Sequence, residues 1–252
     1  MKILAAFRKE ALEQWRTNRF LVVIAVLTFF GLISPLAAKF MPEIFKMVPG
    51  GEQFATLIPE PSIKDAVDQY IKNISQFALI IGVLISMGSV AQEKERGTAA
   101  MMLVKPLSRW AFLLAKLTAL LVVFTVSLML ASIGAYYYTL YLFEAMPVLP
   151  WLALNVLLLI YTMVYVALTI FFSTISRSQV LAGGLSLATM AVLGIVGSIP
   201  GLQIYVPANL VNWATSLMQQ TDQSGWPALW VSFGIILTAM LGSWLVFRRQ
   251  EL

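Results

Sequence analysis

Residues 111–138, AFLLAKLTALLVVFTVSLMLASIGAYYY, decide the fold class, because they contain a single charged side chain, that of Lys116. A membrane-spanning helix needs about 20 predominantly apolar residues. This run exceeds that length, so it is predicted to cross a bilayer with some tilt or to project beyond it. Lys116 lies near its start, where a long side chain is expected to reach the membrane surface.

The composition of the whole chain also indicates a membrane protein. Its 252 residues are 60% hydrophobic and 12% charged, whereas soluble domains contain roughly 45–50% apolar and about 25% charged residues. The predicted fold is therefore a single all-α integral membrane domain with six transmembrane helices, and no length remains for a soluble catalytic domain. The spans are predicted at residues 20–38, 74–91, 111–138, 148–172, 180–199 and 227–247.

Several classes of chemistry are excluded by residue types that the chain lacks. It contains no cysteine and no histidine, which excludes disulfides, thiolate or imidazole metal sites and catalysis by these side chains. It also lacks the GxxxxGK[ST] phosphate loop and the GxSxG and HExxH motifs. We therefore expect no enzymatic activity, no metal site and no cofactor in this chain, so any ATP-driven transport needs a separate ATPase.

The lysines and arginines are distributed unevenly between the two sides of the predicted spans. Thirteen of the 17 fall on the side of both termini, and the positive-inside rule therefore places both termini in the cytoplasm. This bias explains the net charge of +5 without a nucleic-acid partner. The other side carries only Lys39, Lys46, Lys64 and Lys72.

Residues 1–18 show the pattern of an amphipathic helix. Their charged residues, such as Arg8 and Lys9, fall away from the apolar face. The pattern predicts a helix lying in the inner membrane interface, with Trp15 and the cations at headgroup level. The alternative is a first span that begins with a frayed, solvated turn. The apolar face consists of Ile3, Leu4, Phe7, Ala11, Leu12 and Trp15.

Residues 39–73 form the long outer loop of this scheme. Pro42 and the prolines and glycines that follow are expected to interrupt its first part. Ser62, with Asp65 three residues later, predicts the N-terminus of a helix. That helix is expected to stand above the membrane and to lead into the second span.

The fifth span is rich in small residues, and Pro200 with Gly201 is expected to end it. These small residues are Gly183, Gly184, Ala188, Gly194 and Gly197. Tight helix packing is one interpretation, because small residues allow neighbouring helices to approach closely. The other is a re-entrant outer gate, which would include the uncharged amphipathic stretch that follows.

Residues 92–110, QEKERGTAAMMLVKPLSRW, connect the second and third spans on the cytoplasmic side. Gly97 suits the position after a helix C-terminus, the next threonine can cap a short helix over AAMMLV, and Pro106 ends that helix. Ser108 can cap the third span. The methionines of the short helix either lie in an ordinary solvated loop at the interface or fill a groove on a partner protein.

This segment resembles the signature of type-2 ABC-transporter permeases. Those proteins show E-x-E-x-G-T, several apolar residues, P-[VLI]-S-R, and then a lysine. Here EKERGT occupies residues 93–98, PLSR occupies 106–109, and Lys116 follows. The six spans, the N-terminal interfacial helix and the cytoplasmic termini are similar to that family as well. The resemblance covers nearly the whole chain, but only the central signature is specific, and it does not name a substrate.

The resemblance implies the permease subunit of an ATP-binding-cassette exporter, multi-pass in a bacterial or archaeal cytoplasmic (inner) membrane. It implies two ATPase subunits that hold ATP and Mg, and a second permease, which is either a second copy or a related chain. Residues 92–110 would contain the coupling helix, the second and fifth spans would line the path, and residues 200–218 would form the outer gate. The residues that it assigns to ATPase coupling are Glu93, Glu95, Arg96, Gly97, Thr98, Met101, Met102, Leu103, Pro106 and Arg109.

Two other function classes compete with this one. The first is an ATP-independent channel or secondary carrier for an uncharged or hydrophobic substrate, which the scarcity of charge within the spans disfavours without excluding. The second is a membrane anchor or assembly factor that transports nothing.

Overall fold

A computed structural model describes residues 2–47, 60–95, 97, 108–221 and 223–250. Within these residues all regular secondary structure is helical. In chain order the helices are α1 Lys2–Arg16, α2 Arg19–Lys46, α3 Ile63–Ser86, α4 Ala91–Glu95, α5 Arg109–Leu142, α6 Val148–Ile175, α7 Gln179–Gly197, α8 Asn209–Met218 and α9 Trp226–Arg249.

Six segments of the described chain are long and apolar enough to cross a membrane, so the predicted all-α fold with six spans is confirmed at that level. Each predicted span lies largely within one of them. The segments are Arg19–Ile44, Ile63–Glu95, Arg109–Leu142, Val148–Ile175, Gln179–Gly197 and Trp226–Arg249.

The helix α6 lies at the centre of the bundle. It packs against α3, α5, α7, α8 and α9, and its Leu154, Leu158 and Ile170 are fully buried. The spans differ most in burial between α3 and α7. In the most apolar 18-residue stretch of each span, 67% is buried for the span that contains α3 but only 17% for α7. Most of the α7 surface therefore faces away from the rest of this chain.

The helix α2 is longer than the sequence predicts. The expected outer loop begins at Lys39, with Pro42 as a helix breaker, whereas α2 continues through Pro35 and Pro42 to Lys46. The helices α3 and α5 pack along α2, and packing of this kind lets a membrane helix tolerate the backbone hydrogen bond that a proline removes. The prediction for the start of this loop is therefore wrong.

The start of α3 agrees with the sequence prediction. The helix begins at Ile63, and the carboxylate of Asp65 accepts hydrogen bonds from the N–H and the hydroxyl of Ser62 at 2.8 and 2.7 Å. About two turns from the start of α3, the buried Tyr70 donates its hydroxyl proton to Asn155 Oδ1 at 2.6 Å. This bond connects α3 to α6.

Close helix approach occurs at one position that the sequence did not single out. A Cβ at Gly31 of α2 would lie 2.6 Å from the carbonyl oxygen of Ala131 in α5, so only glycine fits there. On α7, a Cβ at Gly183 would meet a neighbouring side chain at 2.9 Å, whereas Cβ atoms at Gly184 and Gly194 would meet no atom of the described residues within 4 Å. The tight packing expected of the α7 glycines thus occurs, within the described chain, at Gly183 but not at Gly184 or Gly194. At Gly197, the last residue of α7, a Cβ would lie 3.2 Å from the side chain of Val206, which is also a close approach.

The region after α7 contains turns and one further helix. Gly201 has φ +87°, a left-handed conformation that suits glycine, four residues beyond the end of α7. The uncharged stretch that follows forms α8, which buries Leu210 and Ala214 and packs against α6 and α3. The predicted amphipathic piece is therefore a helix docked on the bundle.

Candidate functional site

The second span is interrupted before it reaches the signature segment. The position predicted for Gly97, after a helix C-terminus, implies that the second span continues as one helix to residue 96, but α3 ends at Ser86 and α4 begins at Ala91. The hydroxyl of Ser173 in α6 fixes the intervening turn. Its oxygen accepts hydrogen bonds from the N–H groups of Val90 and Ala91 at 3.0 and 2.9 Å, and its O–H group donates to the carbonyl oxygen of Met87 at 2.8 Å.

Gly97 has the backbone conformation that the sequence predicts. The helix α4 ends at Glu95, and Gly97 has φ +69°, with its N–H donating to the carbonyl oxygen of Lys94 at 3.1 Å. A Cβ at this position would meet no described atom within 4 Å. The glycine is therefore required by the left-handed backbone rather than by lack of space.

Part of the predicted site lies outside the described residues, namely Arg96, Thr98, Met101, Met102, Leu103 and Pro106, together with the short helix expected over residues 99–104. Among the residues that are described, Glu95 is exposed at the end of α4. The chain is described again from Ser108, whose Oγ accepts a hydrogen bond from the Ala111 N–H at 3.2 Å. The predicted cap of the third span is therefore present.

Lys116 does not reach the surface, so the prediction made for it is wrong. The residue is only 3% exposed, and its Nζ lies 3.1 Å from Glu10 Oε2 and 2.9 Å from Glu93 Oε1. These two carboxylates come from α1 and α4, and they provide buried partners for a charge that would otherwise have to extend into water.

Lys9 and Glu13 extend this arrangement, and we call Lys9, Glu10, Glu13, Glu93 and Lys116 the ion cluster. Lys9 Nζ lies 2.9 Å from Glu10, 2.8 Å from Glu13 and 3.0 Å from Glu93. The cluster joins three helices, α1, α4 and α5, that are remote from one another in sequence. It contains three carboxylates and two ammonium groups, so its formal net charge is −1.

Lys9 and Glu13, the two more exposed members of the ion cluster, have pKa values that favour their charged forms. Burial would lower the pKa of Lys9, but the carboxylates of Glu10, Glu13 and Glu93 outweigh it and raise this pKa above its ordinary range. Burial would raise the pKa of Glu13, but the hydrogen bond and the charge of Lys9 outweigh it and hold this pKa below its ordinary value. Each of these two residues therefore stabilises the other in its ionised state.

The carboxylate oxygens of Glu10, Glu13 and Glu93 lie within 4.8 Å of one another, a spacing that a divalent cation could use. However, the ammonium groups of Lys9 and Lys116 already contact these carboxylates. We therefore interpret the cluster as a network of ion pairs and assign no metal to it.

The N-terminal helix turns a polar face toward the protein. Ala6, Glu10 and Gln14 are buried, while Leu4 and Trp15 are exposed on the outer face. The apolar face that the sequence identifies therefore points away from the bundle. The role of Glu10 was not predicted from the sequence. The spacing of four between these three buried positions could have indicated it, since residues at this spacing share one helical face.

Arg109 connects the first turn of α5 to the end of α9. Its guanidinium donates to the carbonyl oxygens of Phe247 and, at 3.3 Å, of Gln250. The Phe247 ring also stacks on the ring of Phe112, with centroids 5.4 Å apart. Both ends of the signature segment are thus fixed to other helices, the first through Ser173 and the ion cluster and the second through Arg109.

Six apolar helices with a charged cluster at one end define a multi-pass membrane protein. The sequence pattern of the family described as ABC-2 family transporter protein matches residues 4–252, and the chain belongs to that family. It is also similar to the uncharacterized transmembrane protein YxlG of Bacillus subtilis (strain 168), with 27% identity over 262 residues, which covers 100% of this chain and 99% of that protein. The chain is therefore a membrane permease component of an ABC transporter, a class that associates with ATP-binding-cassette ATPases.

Proposed function

We propose that the chain is the permease subunit of an ATP-driven exporter and that residues 92–110 couple it to two ATPase subunits. Those subunits bind and hydrolyse ATP with Mg, and the chain itself contributes no catalytic group. In this proposal the segment docks on the ATPases through the apolar side chains of Met101, Met102 and Leu103, with Glu95 and Arg96 beside it.

The observation that carries the proposal is the attachment of both ends of the segment. At its start, the turn before α4 is held by Ser173 of α6. At its end, α5 begins with the Ser108 cap, and Arg109 is bonded to the end of α9. A force applied between these two points therefore reaches the spans directly rather than being absorbed by a loose connection.

The proposal also includes an orientation and a location. Both termini lie in the cytoplasm of a bacterial or archaeal cell, and the chain lies in its inner membrane. The asymmetry of the lysines and arginines supports this orientation. The helix α1 then lies in the inner interface, with the exposed Leu4 and Trp15 toward lipid and the exposed Arg8 and Arg16 available to headgroups.

A second permease completes the transport path in this proposal. The low burial of the α7 span, 17%, leaves a long face that a second copy or a related chain can cover. The helices α3 and α7 line the path between the two permeases, and residues 200–218 form its outer gate. The docking of α8 on α6 and α3 supports a gate that moves together with these spans.

Gentle extraction of the epitope-tagged chain from its native membrane tests the proposal. We expect a protein with Walker motifs to be recovered with it. The triple variant Met101→Ser, Met102→Ser, Leu103→Ser should fold normally and lose most of this ATPase, because its docking side chains are no longer apolar.

The matched control is Met47→Ser. Met47 is 83% exposed and directly follows α2, at the end of that helix that lies farthest from the coupling segment. This variant should recover as much ATPase as the unaltered chain. Recovery of no ATPase by the unaltered chain, or equal recovery by the triple variant, contradicts the proposal.

A further inference from the structure

We propose that Glu10, Glu93 and Lys116 are positioning residues that make α1 move together with the coupling segment. The inference rests on the proposed function, because it concerns how a displacement started by the ATPases spreads into the permease. It adds to that function a second route of transmission, which passes through the N-terminal helix instead of the spans alone.

Glu93 contacts two other helices at once. It lies in α4, four residues before Gly97, at the point where the coupling segment leaves the bundle. Its Oε1 is shared by Lys116 Nζ at 2.9 Å and Lys9 Nζ at 3.0 Å. Any displacement of α4 therefore changes contacts with α5 and with α1 at the same time.

The charges that join the three helices are largely removed from water. The side chains of Lys116, Glu10 and Glu93 are only 3%, 5% and 11% exposed. Charges removed from water are stabilised only while their partners stay in hydrogen-bonding contact, and separating them leaves uncompensated buried charge. The three helices therefore either move as a unit or separate far enough for water to enter, and intermediate separations are unfavourable.

A further contact connects the junction between α1 and α2 to α4. Two residues, Thr17 and Asn18, join α1 to α2, and the guanidinium of Arg19 at the start of α2 donates to Gln92 Oε1 in α4 at 3.1 Å. A shift of α4 thus acts on α1 through the ion cluster and on the α1–α2 junction through Arg19. The first span receives the displacement through this junction.

A fluorescence experiment on the assembled transporter tests the inference. The chain has no cysteine, so Leu4→Cys, on the exposed face of α1, gives one labelling site. The purified chain is labelled there with an environment-sensitive fluorophore, and its ATPase subunits are then added in nanodiscs. The signal is compared before and after addition of Mg and a non-hydrolysable ATP analogue.

We expect the nucleotide to change the fluorescence in the unaltered background. Glu10→Gln and Lys116→Met, which break the ion pair between these two residues outside the coupling segment, should each diminish this change while the ATPase stays bound. The double variant should behave like either single variant, since the two residues act through one contact. Arg8→Gln, which removes an exposed cation from the same helix, should keep the response. If Lys116→Met does not fold, Glu10→Gln, which keeps the shape of the side chain, decides the matter.

The outcomes separate this inference from the proposed function. Failure of any ATPase to bind the unaltered chain overturns both. Binding of the ATPase with no nucleotide response at α1 overturns the inference alone. An undiminished response in the two single variants, or losses in them that add up in the double variant, also overturns it, because α1 would then be moved by other contacts.

Discussion

Replacement of Ser173 by alanine is expected to release the base of the coupling segment without altering the segment itself. The Ser173 hydroxyl is the hydrogen-bond acceptor for the N–H groups of Val90 and Ala91 and the donor to the Met87 carbonyl. The side chain is fully buried, with 0% exposure. Alanine keeps the backbone and most of the volume but removes all three bonds.

The expected magnitude follows from the number of groups that lose a partner. A buried donor left without its acceptor costs about 1–3 kcal/mol, so two backbone N–H groups together cost about 2–6 kcal/mol. The loss lowers the free energy of local opening of residues 87–95 rather than the free energy of unfolding of the whole chain. A change of about 2 kcal/mol corresponds to roughly a 30-fold shift in an opening equilibrium.

Hydrogen–deuterium exchange of the purified chain measures this opening. In Ser173→Ala, amides of residues 87–95 should exchange at least about 30-fold faster. The matched control is Ser243→Ala, because Ser243 is also 0% exposed but its hydroxyl donates only to the carbonyl of its own helix at Ala239. Equal exchange of residues 87–95 in the two variants would refute the reasoning.

Two further predictions concern the packing of α2 and the charge of α1. Gly31→Ala should lower the thermal unfolding midpoint by about 2–12 °C relative to the control Gly234→Ala, whose added Cβ meets no described atom within 4 Å. Overpacking against Ala131 costs about 1–3 kcal/mol. Each kcal/mol shifts the midpoint of a chain of this size by about 2–4 °C. Tryptophan fluorescence during heating measures this difference, and equal midpoints contradict it. For pH, the folded pKa of Glu13 is depressed below its ordinary value of 4.5, so its pairing with Lys9 stabilises α1 above pH 4.5 and is lost as the pH falls through the folded pKa. A spin label on α1 should therefore become more mobile on acidification, and Glu13→Gln should raise its mobility at neutral pH. Unchanged mobility in both measurements contradicts this assignment.

The features that could be predicted from the sequence are those set by neighbours along the chain. The capping pair Ser62 and Asp65, the left-handed Gly97 and the Ser108 cap each depend on residues within three or four positions. The six spans depend on runs of apolar residues, which a membrane requires irrespective of packing. In these cases local chemistry alone selects the conformation, and the structure agrees with it.

The features that the sequence did not predict depend on partners far along the chain. Lys116 was expected to reach the surface, but it is paired inside the protein with Glu10 and Glu93. These partners are 106 and 23 positions away in the sequence, so the local pattern does not indicate them. The break before α4 depends on Ser173, about 80 positions from the backbone groups that it binds. Pro42 was expected to interrupt the outer loop, but α2, along which α3 and α5 pack, continues through it to Lys46. Hydropathy and motif spacing contain no information on such pairings.

The arrangement around α5 also determines where a fusion partner can be attached. The helix α1 and the residues around Gln250 both pack against the first two turns of α5, through Lys116 and Arg109 respectively. A fluorescent protein at either end of the chain would therefore lie beside the proposed ATPase dock and hinder it by its bulk. An epitope inserted between the exposed residues Glu144 and Ala145, at the far end of the same helix, avoids this obstruction.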